Sequence, residues 1–255
     1  MKLTFLGTGT STGVPQIGCR CEVCTSTDSR DNRLRTSAIV TTASGVNLLI
    51  DCGPDFRQQI IAQGAPAIDA ALLTHTHYDH VGGIDDLRPY CGDKAFDIYC
   101  REDVARDLRA RIPYCFVEHP YPGVPTFNLH IIDPEKPFVV DGVEVTPLPV
   151  MHARLPIVGF RIGNLAYITD CKTMPESTKD LIRGIPVLVL NALRIDEHMS
   201  HLSLSQALDI VREVKPQRAY LIHLSHQMGL HARVEPTLPE NVKIAYDGLT
   251  IDIPD

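Results

Sequence analysis

Long apolar runs are missing from this chain of 255 residues. Its aliphatic runs, such as those at residues 70–73 and 187–190, are short and separated by polar residues. A membrane-spanning helix needs about 20 consecutive apolar residues, so the sequence predicts no membrane partner. With 44% hydrophobic positions, the chain is nevertheless long enough to bury a sizeable core. No stretch of linker composition divides it, and we expect a single domain over residues 1–255.

An excess of basic residues is also missing. The 24 lysines and arginines are outnumbered by 31 aspartates and glutamates, so the net charge is -7. Nucleic-acid binding depends on clustered basic side chains that neutralise phosphates, and we expect no large nucleic acid as a partner. A small anionic substrate is compatible with this charge, because a bound metal makes the local electrostatic potential positive even where the net charge of the protein is negative.

A secretory signal is the third missing feature. Residues 1–7 contain no long apolar segment and reach glycine too early for such a signal. We therefore expect a cytoplasmic protein. In a reducing compartment, the eight cysteines indicate metal ligation or free thiols rather than disulfides.

Strand and helix patterns recur along the chain. We predict strands at Leu3–Leu6, Ser37–Thr42, Asn47–Asp51, Ala70–Thr74, Val158–Ile162, Leu165–Asp170, Val187–Leu190 and Ala219–His223. Predicted helices are Asp55–Gln63, Glu102–Ile112, Pro175–Arg183 and Ser203–Lys215. Ser203 and Gln206 form a capping box at the start of the last helix. Asp141-Gly142 and Asp247-Gly248 are predicted hairpin turns, and hairpins mixed with strand–helix alternation predict mixed β-sheets.

Residues 113–129 differ from the rest, because four prolines, four aromatic residues and His119 fall within them. We expect a long, ordered surface loop. Three interpretations of this loop remain open: a wall or lid of a substrate pocket, an oligomer contact, or plain surface.

Residues 74–80, Thr-His-Thr-His-Tyr-Asp-His, place four potential metal ligands at the end of an apolar strand. His75 and His77 are two residues apart, so in an extended backbone both imidazoles project from one face. The chain then turns, which brings Asp79 and His80 toward the same point from the other side. Burying so many imidazoles without a metal or partner is costly, and we predict two adjacent metal sites.

The HxHxDH motif in this segment resembles that of the metallo-β-lactamase superfamily. The resemblance implies an α/β fold, an αββα sandwich of two mixed β-sheets flanked by helices, with the metals at one edge. It also implies the remaining ligands, because His152, Asp170 and His223 end later strands in the order that the family uses. By this resemblance one metal is held by His75, His77 and His152, the other by Asp79, His80 and His223, and Asp170 bridges the two.

This ligand set indicates hydrolysis. Two divalent metals bring four positive charges, and Asp79, Asp170 and a bridging hydroxide remove three, which leaves a charge of about +1 to attract a phosphodiester. Nitrogen-rich ligation suits zinc, and the oxygen donors are also compatible with manganese or iron. A metal pair lowers the pKa of water toward about 7 and stabilises the attacking and leaving oxygens.

A second motif, CxCxxC, places Cys19, Cys21 and Cys24 within six residues. Free surface thiols are one interpretation of this motif. The other is a structural zinc, for which three thiolates lack one ligand of a closed Cys3His site. His226 is the candidate for that ligand. The other cysteines share no spacing, and we predict that they are small buried hydrophobes: Cys52, Cys91, Cys100, Cys115 and Cys171.

Three segments narrow the resemblance: the glycine-rich residues 6–15, the cysteine motif, and the HxSHQ stretch at residues 223–227. Together they are similar to the branch that contains the phosphodiesterase of the carbon-phosphorus lyase pathway, the PhnP-like branch. This resemblance implies a structural zinc on the three cysteines and His226, and makes a homodimer plausible. It also implies that a histidine just before a helix acts on the leaving group, a position that His201 fits better than His198.

The function predicted from these residues is metal-dependent hydrolysis of a small phosphodiester, cyclic or nucleotide-like, with His201, Asp79 and Asp170 as catalytic residues. Thioester or lactone hydrolysis is an alternative, because such enzymes of the superfamily use much the same ligands. A second alternative is a nonhydrolytic ligand-binding protein, as suggested for the superfamily member of pyrroloquinoline quinone biosynthesis. Three metals per chain would agree with an enzyme, and one with a binding role.

Overall fold

The computed structural model describes residues 1–118 and 121–254. Its strands are β1 (Lys2–Gly7), β2 (Ser37–Thr41), β3 (Asn47–Ile50), β4 (Ala70–Leu72), β5 (Phe96–Cys100), β6 (Phe127–Ile131), β7 (Phe138–Val140), β8 (Val143–His152), β9 (Leu155–Ile162), β10 (Leu165–Ile168), β11 (Val187–Asn191), β12 (Arg218–Ile222), β13 (Val242–Ile244) and β14 (Thr250–Asp252). Its α-helices are α1 (Phe56–Ala62), α2 (Tyr78–Val81), α3 (Glu102–Arg111), α4 (Glu176–Ile182), α5 (Leu204–Val214) and α6 (His231–Val234). Short 3-10 helices cover Ser29–Asp31, Ile84–Tyr90, Pro113–Phe116, His226–Met228 and Glu235–Thr237.

The strands form two sheets of seven, in the orders β14-β1-β2-β3-β4-β5-β6 and β13-β12-β11-β10-β9-β8-β7. Each sheet has an antiparallel and a parallel part. In the first sheet, strands β3 to β6 pair in parallel, whereas β14, β1, β2 and β3 pair antiparallel. In the second, β10 to β13 pair in parallel and β7 to β10 antiparallel. The prediction of mixed sheets is confirmed.

Three apolar clusters hold the layers together. The central cluster joins the facing sides of the two sheets, with Phe5 and Leu48 from one sheet and Phe160 and Tyr167 from the other. A second cluster joins the outer side of the second sheet to α4 and α5, and a third joins the outer side of the first sheet to α1 and α3. The alternation of side chains along each strand supplies both faces. The predicted αββα sandwich is confirmed.

The two Asp-Gly turns have different outcomes. Asp141 and Gly142 have φ values of 47° and 81° and join the antiparallel strands β7 and β8, as a tight hairpin requires. The hairpin predicted at residues 247–248 is wrong, because β13 and β14 lie in different sheets. The Asp247 carboxylate accepts hydrogen bonds from Leu34 N and Thr8 Oγ1, so this turn docks against the first sheet as the chain crosses between sheets.

The remaining local predictions have mixed outcomes. The capping box of α5 is present, with Ser203 and Gln206 bonded reciprocally. The predicted loop at residues 113–129 is interrupted by the 3-10 helix Pro113–Phe116 and ends in β6, while His119 and Pro120 lie outside the described residues. None of the helices in the described parts of the chain combines the length and apolar character that crossing a bilayer requires.

Candidate metal centre

The histidines and aspartates predicted as ligands meet at one edge of the sandwich. They come from the carboxyl ends of β4, β8, β10 and β12, and from α2. Since β4 belongs to one sheet and the other three strands to the second, the ligands converge across the gap between the sheets. We call these residues the histidine–aspartate cluster: His75, His77, Asp79, His80, His152, Asp170 and His223.

The donor atoms of the cluster form two groups that share Asp170. Within each group the donor atoms lie within 4.8 Å of one another, the first group being His75, His77, His152 and Asp170, and the second Asp79, His80, Asp170 and His223. Asp170 Oδ2 lies 3.8 Å from His75 Nε2, and its Oδ1 lies 3.3 Å from His80 Nε2. These are the two groups that the resemblance predicts, with Asp170 between them.

Two of these residues have backbone conformations that L-residues rarely adopt. Asp170 has a φ of 53° and His223 a φ of 58°, and Asp51, at the end of β3, has a φ of 60°. Such left-handed positions cost about 1–3 kcal/mol each and concentrate at functional sites. Here they turn the chain just after the strands β3, β10 and β12, at the edge where the cluster lies.

Opposite charges are packed tightly in the cluster. Burial alone would lower the pKa of His80, but the carboxylates of Asp170 and Asp79, with Asp51, outweigh it and hold that pKa well above its ordinary value. Burial raises the pKa of Asp170, but the neighbouring histidines, His223 and His80 foremost, bring it well below its usual range. The cluster therefore favours ionised carboxylates next to a cation.

Metal ions fit this donor set, because two buried nitrogens in it have no hydrogen-bond partner. Nε2 of His75 and Nε2 of His80 are both buried, and neither makes a hydrogen bond with acceptable geometry. Leaving such groups unsatisfied costs about 1–3 kcal/mol each. Both nitrogens face Asp170, and a cation at each would satisfy them. Imidazole and carboxylate are common ligands of divalent metals.

Neighbouring residues hold the imidazole rings of the cluster in their orientations through hydrogen bonds. These neighbours were not identified from the sequence. Asp51 is fully buried, accepts a hydrogen bond of 2.7 Å from His80 Nδ1, and is itself bonded by Thr74 N and Oγ1. Ser200 O accepts a hydrogen bond of 2.8 Å from His152 Nδ1. Each bond leaves Nε2 of the ring for the metal, a common arrangement around metal-bound histidines. An aspartate closing an apolar strand, as Asp51 does, was the available signal.

His201 lies against the cluster. Its Nε2 is 3.2 Å from Asp170 Oδ2, and its side chain is 12% exposed. Its ring stacks on that of His223 at a centroid distance of 5.0 Å. His198 lies behind it, on the side away from Asp170, with its Nδ1 3.2 Å from His201 Nδ1. Of the two histidines, His201 is therefore the one whose ring contacts the shared carboxylate.

The open side of the cluster lies at His77, which is exposed while the other ligands are buried. Next to it, Tyr78 is 65% exposed and lines a cavity of about 260 Å³ beside α2, together with Tyr114 of the 113–129 loop. Tyr114 also donates a hydrogen bond to Asp85. At least this residue of the loop adjoins a cavity near the cluster.

Cys19, Cys21, Cys24 and His226, which we call the cysteine cluster, also come together, with their donor atoms within 4.8 Å of one another. His226 Nδ1 lies 3.4 Å from Cys19 Sγ and 3.2 Å from Cys21 Sγ. The Cys24 backbone N–H, followed by His226, lowers the pKa of Cys21 to about 6. Three sulfurs and one nitrogen match a closed tetrahedral zinc site.

The other five cysteines are buried and free, as predicted. Burial raises the pKa of both Cys100 and Cys171 to about 12. The thiols of Cys100 and Cys171 therefore remain protonated near neutrality and are poor ligands or nucleophiles.

Comparison with known proteins agrees with this geometry. A model described as the β-lactamase superfamily domain matches residues 46–224. The chain belongs to the metallo-β-lactamase superfamily. Most proteins of this superfamily are hydrolases. A solved structure of a new diphosphatase from the PhnP family is 35% identical, with a TM-score of 0.92, and covers 99% of this chain and 98% of that one. This likeness places the chain in the PhnP-like branch of the superfamily.

Two further similar proteins have names other than diphosphatase. An octanoyltransferase from Porphyromonas gingivalis is 44% identical over 98% of this chain, which spans 51% of the length of that protein. A zinc-bound PqqB from Methylobacterium extorquens is 24% identical with a TM-score of 0.80, over 99% of this chain and 100% of that one. At 24% identity the second likeness shows the fold alone.

Proposed function

We propose that this metallo-β-lactamase superfamily protein hydrolyses a small phosphodiester or diphosphate, with two divalent cations, zinc or manganese, on the histidine–aspartate cluster and a structural zinc on the cysteine cluster. The observation that carries the proposal is the similarity to the PhnP-family diphosphatase, 35% identical over 99% of this chain. Phosphodiesters and diphosphate esters present the same anionic phosphoryl centre, so one site serves either.

The chain contributes the arrangement of charge. Asp170 lies between the two groups of ligands, and its Oδ1 is also bonded by Thr169 Oγ1 at 2.6 Å. Divalent cations, when bound, would neutralise phosphoryl oxygens and lower the pKa of water toward about 7. Because His77 and His201 border the open side, we expect the phosphoryl group to enter past them.

His201 is the proton donor in this proposal. Its Nε2 is 3.2 Å from Asp170 Oδ2, so a proton on that nitrogen lies beside the carboxylate that both groups of ligands share. An alkoxide leaving group needs that proton, whereas p-nitrophenolate leaves without it. General-acid catalysis contributes about 10²–10⁴-fold, which sets the scale of His201's contribution to the cleavage of an alkyl ester.

Acyl thioester hydrolysis is the second candidate, and the 44% identity to the octanoyltransferase favours it. About half of that relative lies outside the match, so the octanoyl transfer belongs either to the matching half or to the other one. If the matching half handles the acyl group, the present chain would act on an octanoyl ester or thioester.

A substrate panel tests the proposal. Protein loaded separately with zinc and with manganese is assayed on bis(p-nitrophenyl) phosphate, a dinucleoside diphosphate and S-octanoyl-N-acetylcysteamine, with Asp170→Ala as the control for contaminating activity. The proposal predicts turnover of at least one phosphorus substrate that is lost in the variant. Turnover of the thioester alone would replace it with the second candidate, and metal-loaded protein inactive on all three would favour a ligand-binding role.

A further inference from the structure

His198 has no role in the site described so far, yet it is half-buried directly behind His201. The rings of His198 and His201 have a centroid distance of 5.2 Å, and Ser200 contacts both. The hydrogen bonds among these three residues determine which nitrogen of His201 carries a hydrogen.

Nδ1 of His198 is an acceptor. It receives a hydrogen bond of 3.3 Å from the backbone N–H of Ser200, and a backbone nitrogen only donates. The pKa of His198 is also below its ordinary value, chiefly through burial and then through the neighbouring His201 and Arg194. His198 is therefore a neutral ring with its hydrogen on Nε2 and a lone pair on Nδ1.

This assignment fixes the hydrogen of His201. The two Nδ1 atoms are 3.2 Å apart, and two lone pairs do not face each other at that distance, so Nδ1 of His201 carries the hydrogen and donates it. Ser200 Oγ, 3.0 Å from His201 Nδ1, is a second acceptor for the same N–H.

With its Nδ1 hydrogen directed to His198, the ring of His201 presents Nε2 on its other side, 3.2 Å from Asp170 Oδ2. We propose that His198 is a positioning residue that holds His201 in the tautomer whose Nε2 serves the leaving group. This inference rests on the proposed function, because it gives His201 the role of proton donor. It predicts that His198 matters only where the leaving group needs a proton.

The test compares two substrates with opposite needs. A nucleoside 2′,3′-cyclic phosphate expels an alkoxide, and bis(p-nitrophenyl) phosphate expels a stable phenolate. Zinc-loaded wild type, His201→Ala, His198→Leu and His198→Asn are assayed on both. The asparagine retains an acceptor at the position of Nδ1, and leucine does not. Met199→Ala is the matched control, since Met199 lies in the same segment and is 83% exposed.

We expect His198→Leu to lower kcat on the cyclic phosphate about 10-fold, less than the about 10²–10⁴-fold loss of a complete general acid, because Ser200 Oγ remains as an acceptor. KM, the metal content and turnover of the phenolate ester should stay near wild type. His198→Asn should recover most of the loss, and Met199→Ala should lose nothing. In ¹⁵N spectra of histidine-labelled protein, the Nδ1–H signal of His201 should weaken in His198→Leu.

Equal losses on both substrates, or no recovery by asparagine with an unchanged His201 tautomer, would overturn the role of His198. Wild-type protein that cleaves the phenolate ester but shows no substrate-dependent effect of His201→Ala would overturn it as well, since His201 would then not be the proton donor. Wild type inactive on both esters would instead count against the proposed function, which separates the two failures.

Discussion

The histidine–aspartate cluster and the cysteine cluster are built from different parts of the fold. The first takes its residues from the ends of four strands in two sheets and from α2, and six of its seven residues are buried. The second takes three ligands from one loop between β1 and β2, and all of its four residues are half-buried. In residues 8–36 the 3-10 helix Ser29–Asp31 is the one regular helix or named strand.

This difference indicates what each metal contributes. Strand ends hold the residues of the buried cluster in place without a metal, so a metal bound there would add chemistry to a scaffold that already exists. The cysteine loop lacks such a scaffold, and a zinc would itself hold the loop in place. The two clusters are linked through the chain, because His223 and His226 are three residues apart.

Asp170→Ala should have the largest effect, since it removes the carboxylate shared by both groups of ligands. Losing several kcal/mol of transition-state stabilisation corresponds to a fall of about 10³-fold or more in turnover of a phosphodiester. Metal analysis should show loss at the histidine–aspartate cluster and one zinc still bound at the cysteines. If the cysteine zinc were lost as well, the two clusters would not be separate in the way the fold indicates.

Asp51→Asn should weaken binding of the metal that His80 holds, by about 10–100-fold, the usual cost of removing a carboxylate that orients a ligand. The amide keeps the shape but loses the charge that accepts from His80 Nδ1 at 2.7 Å. Competition with a fluorescent chelator measures the affinity. Asp69→Asn is the matched control, because Asp69 is exposed before β4, and its carboxylate bonds only a backbone nitrogen at that end. Equal affinities in both variants would contradict the positioning role of Asp51.

Cys21→Ser should act mainly on the loop. We expect one zinc fewer per chain and faster proteolysis within residues 16–24. Turnover should fall by less than about 10-fold, the lower end of what changes around a metal site cost, because His223 is held by its own strand. Arg20→Ala, an exposed change between two of the cysteines, controls for the sequence alteration. A loss of turnover as large as that of Asp170→Ala would show that the cysteine cluster supports the other one directly.

Asp247 accepts hydrogen bonds from Thr8 Oγ1 and Leu34 N, near the two ends of the loop that carries the three cysteines. Asp247→Asn should have the smallest effect of these variants. Burial raises the pKa of Asp247 from 3.8 to about 6, so the folded state binds this proton more tightly than the unfolded chain does. The contribution of Asp247 to stability therefore grows as pH falls from 7 through 6 toward 4, by up to about 3 kcal/mol. Urea unfolding of both proteins at pH 7, 6 and 5 measures it. The free energy of unfolding of the wild type should increase relative to that of the variant as pH falls. A difference that stays constant with pH would contradict the pKa shift.

Much of the fold was predictable because burial imposes simple patterns. Apolar runs such as residues 187–190 gave central strands, and the capping box gave the start of α5. The candidate ligands at residues 74–80 were predictable because their residue types are costly to bury without a partner, whereas His152, Asp170 and His223 followed only from the family resemblance. The histidines clustered within residues 74–80 therefore predicted a metal site.

The predictions failed at positions where contacts between residues far apart in the sequence determine the structure. Asp-Gly promotes a turn, but only at residues 141–142 do both residues have positive φ and the flanking strands pair. At residues 247–248 only the glycine has positive φ, and Leu34 and Thr8 bind the aspartate from across the fold. Asp51 was missed for the same reason, since its partner His80 lies 29 positions away.

Anomalous diffraction from crystals of the zinc-loaded protein, recorded above the zinc edge, tests directly whether both clusters bind metal. We expect three peaks: one on each side of the Asp170 carboxylate, and one among Cys19, Cys21, Cys24 and His226. A single peak at the cysteines, with none beside Asp170, would contradict a dinuclear hydrolytic site and leave a fold braced by one structural metal.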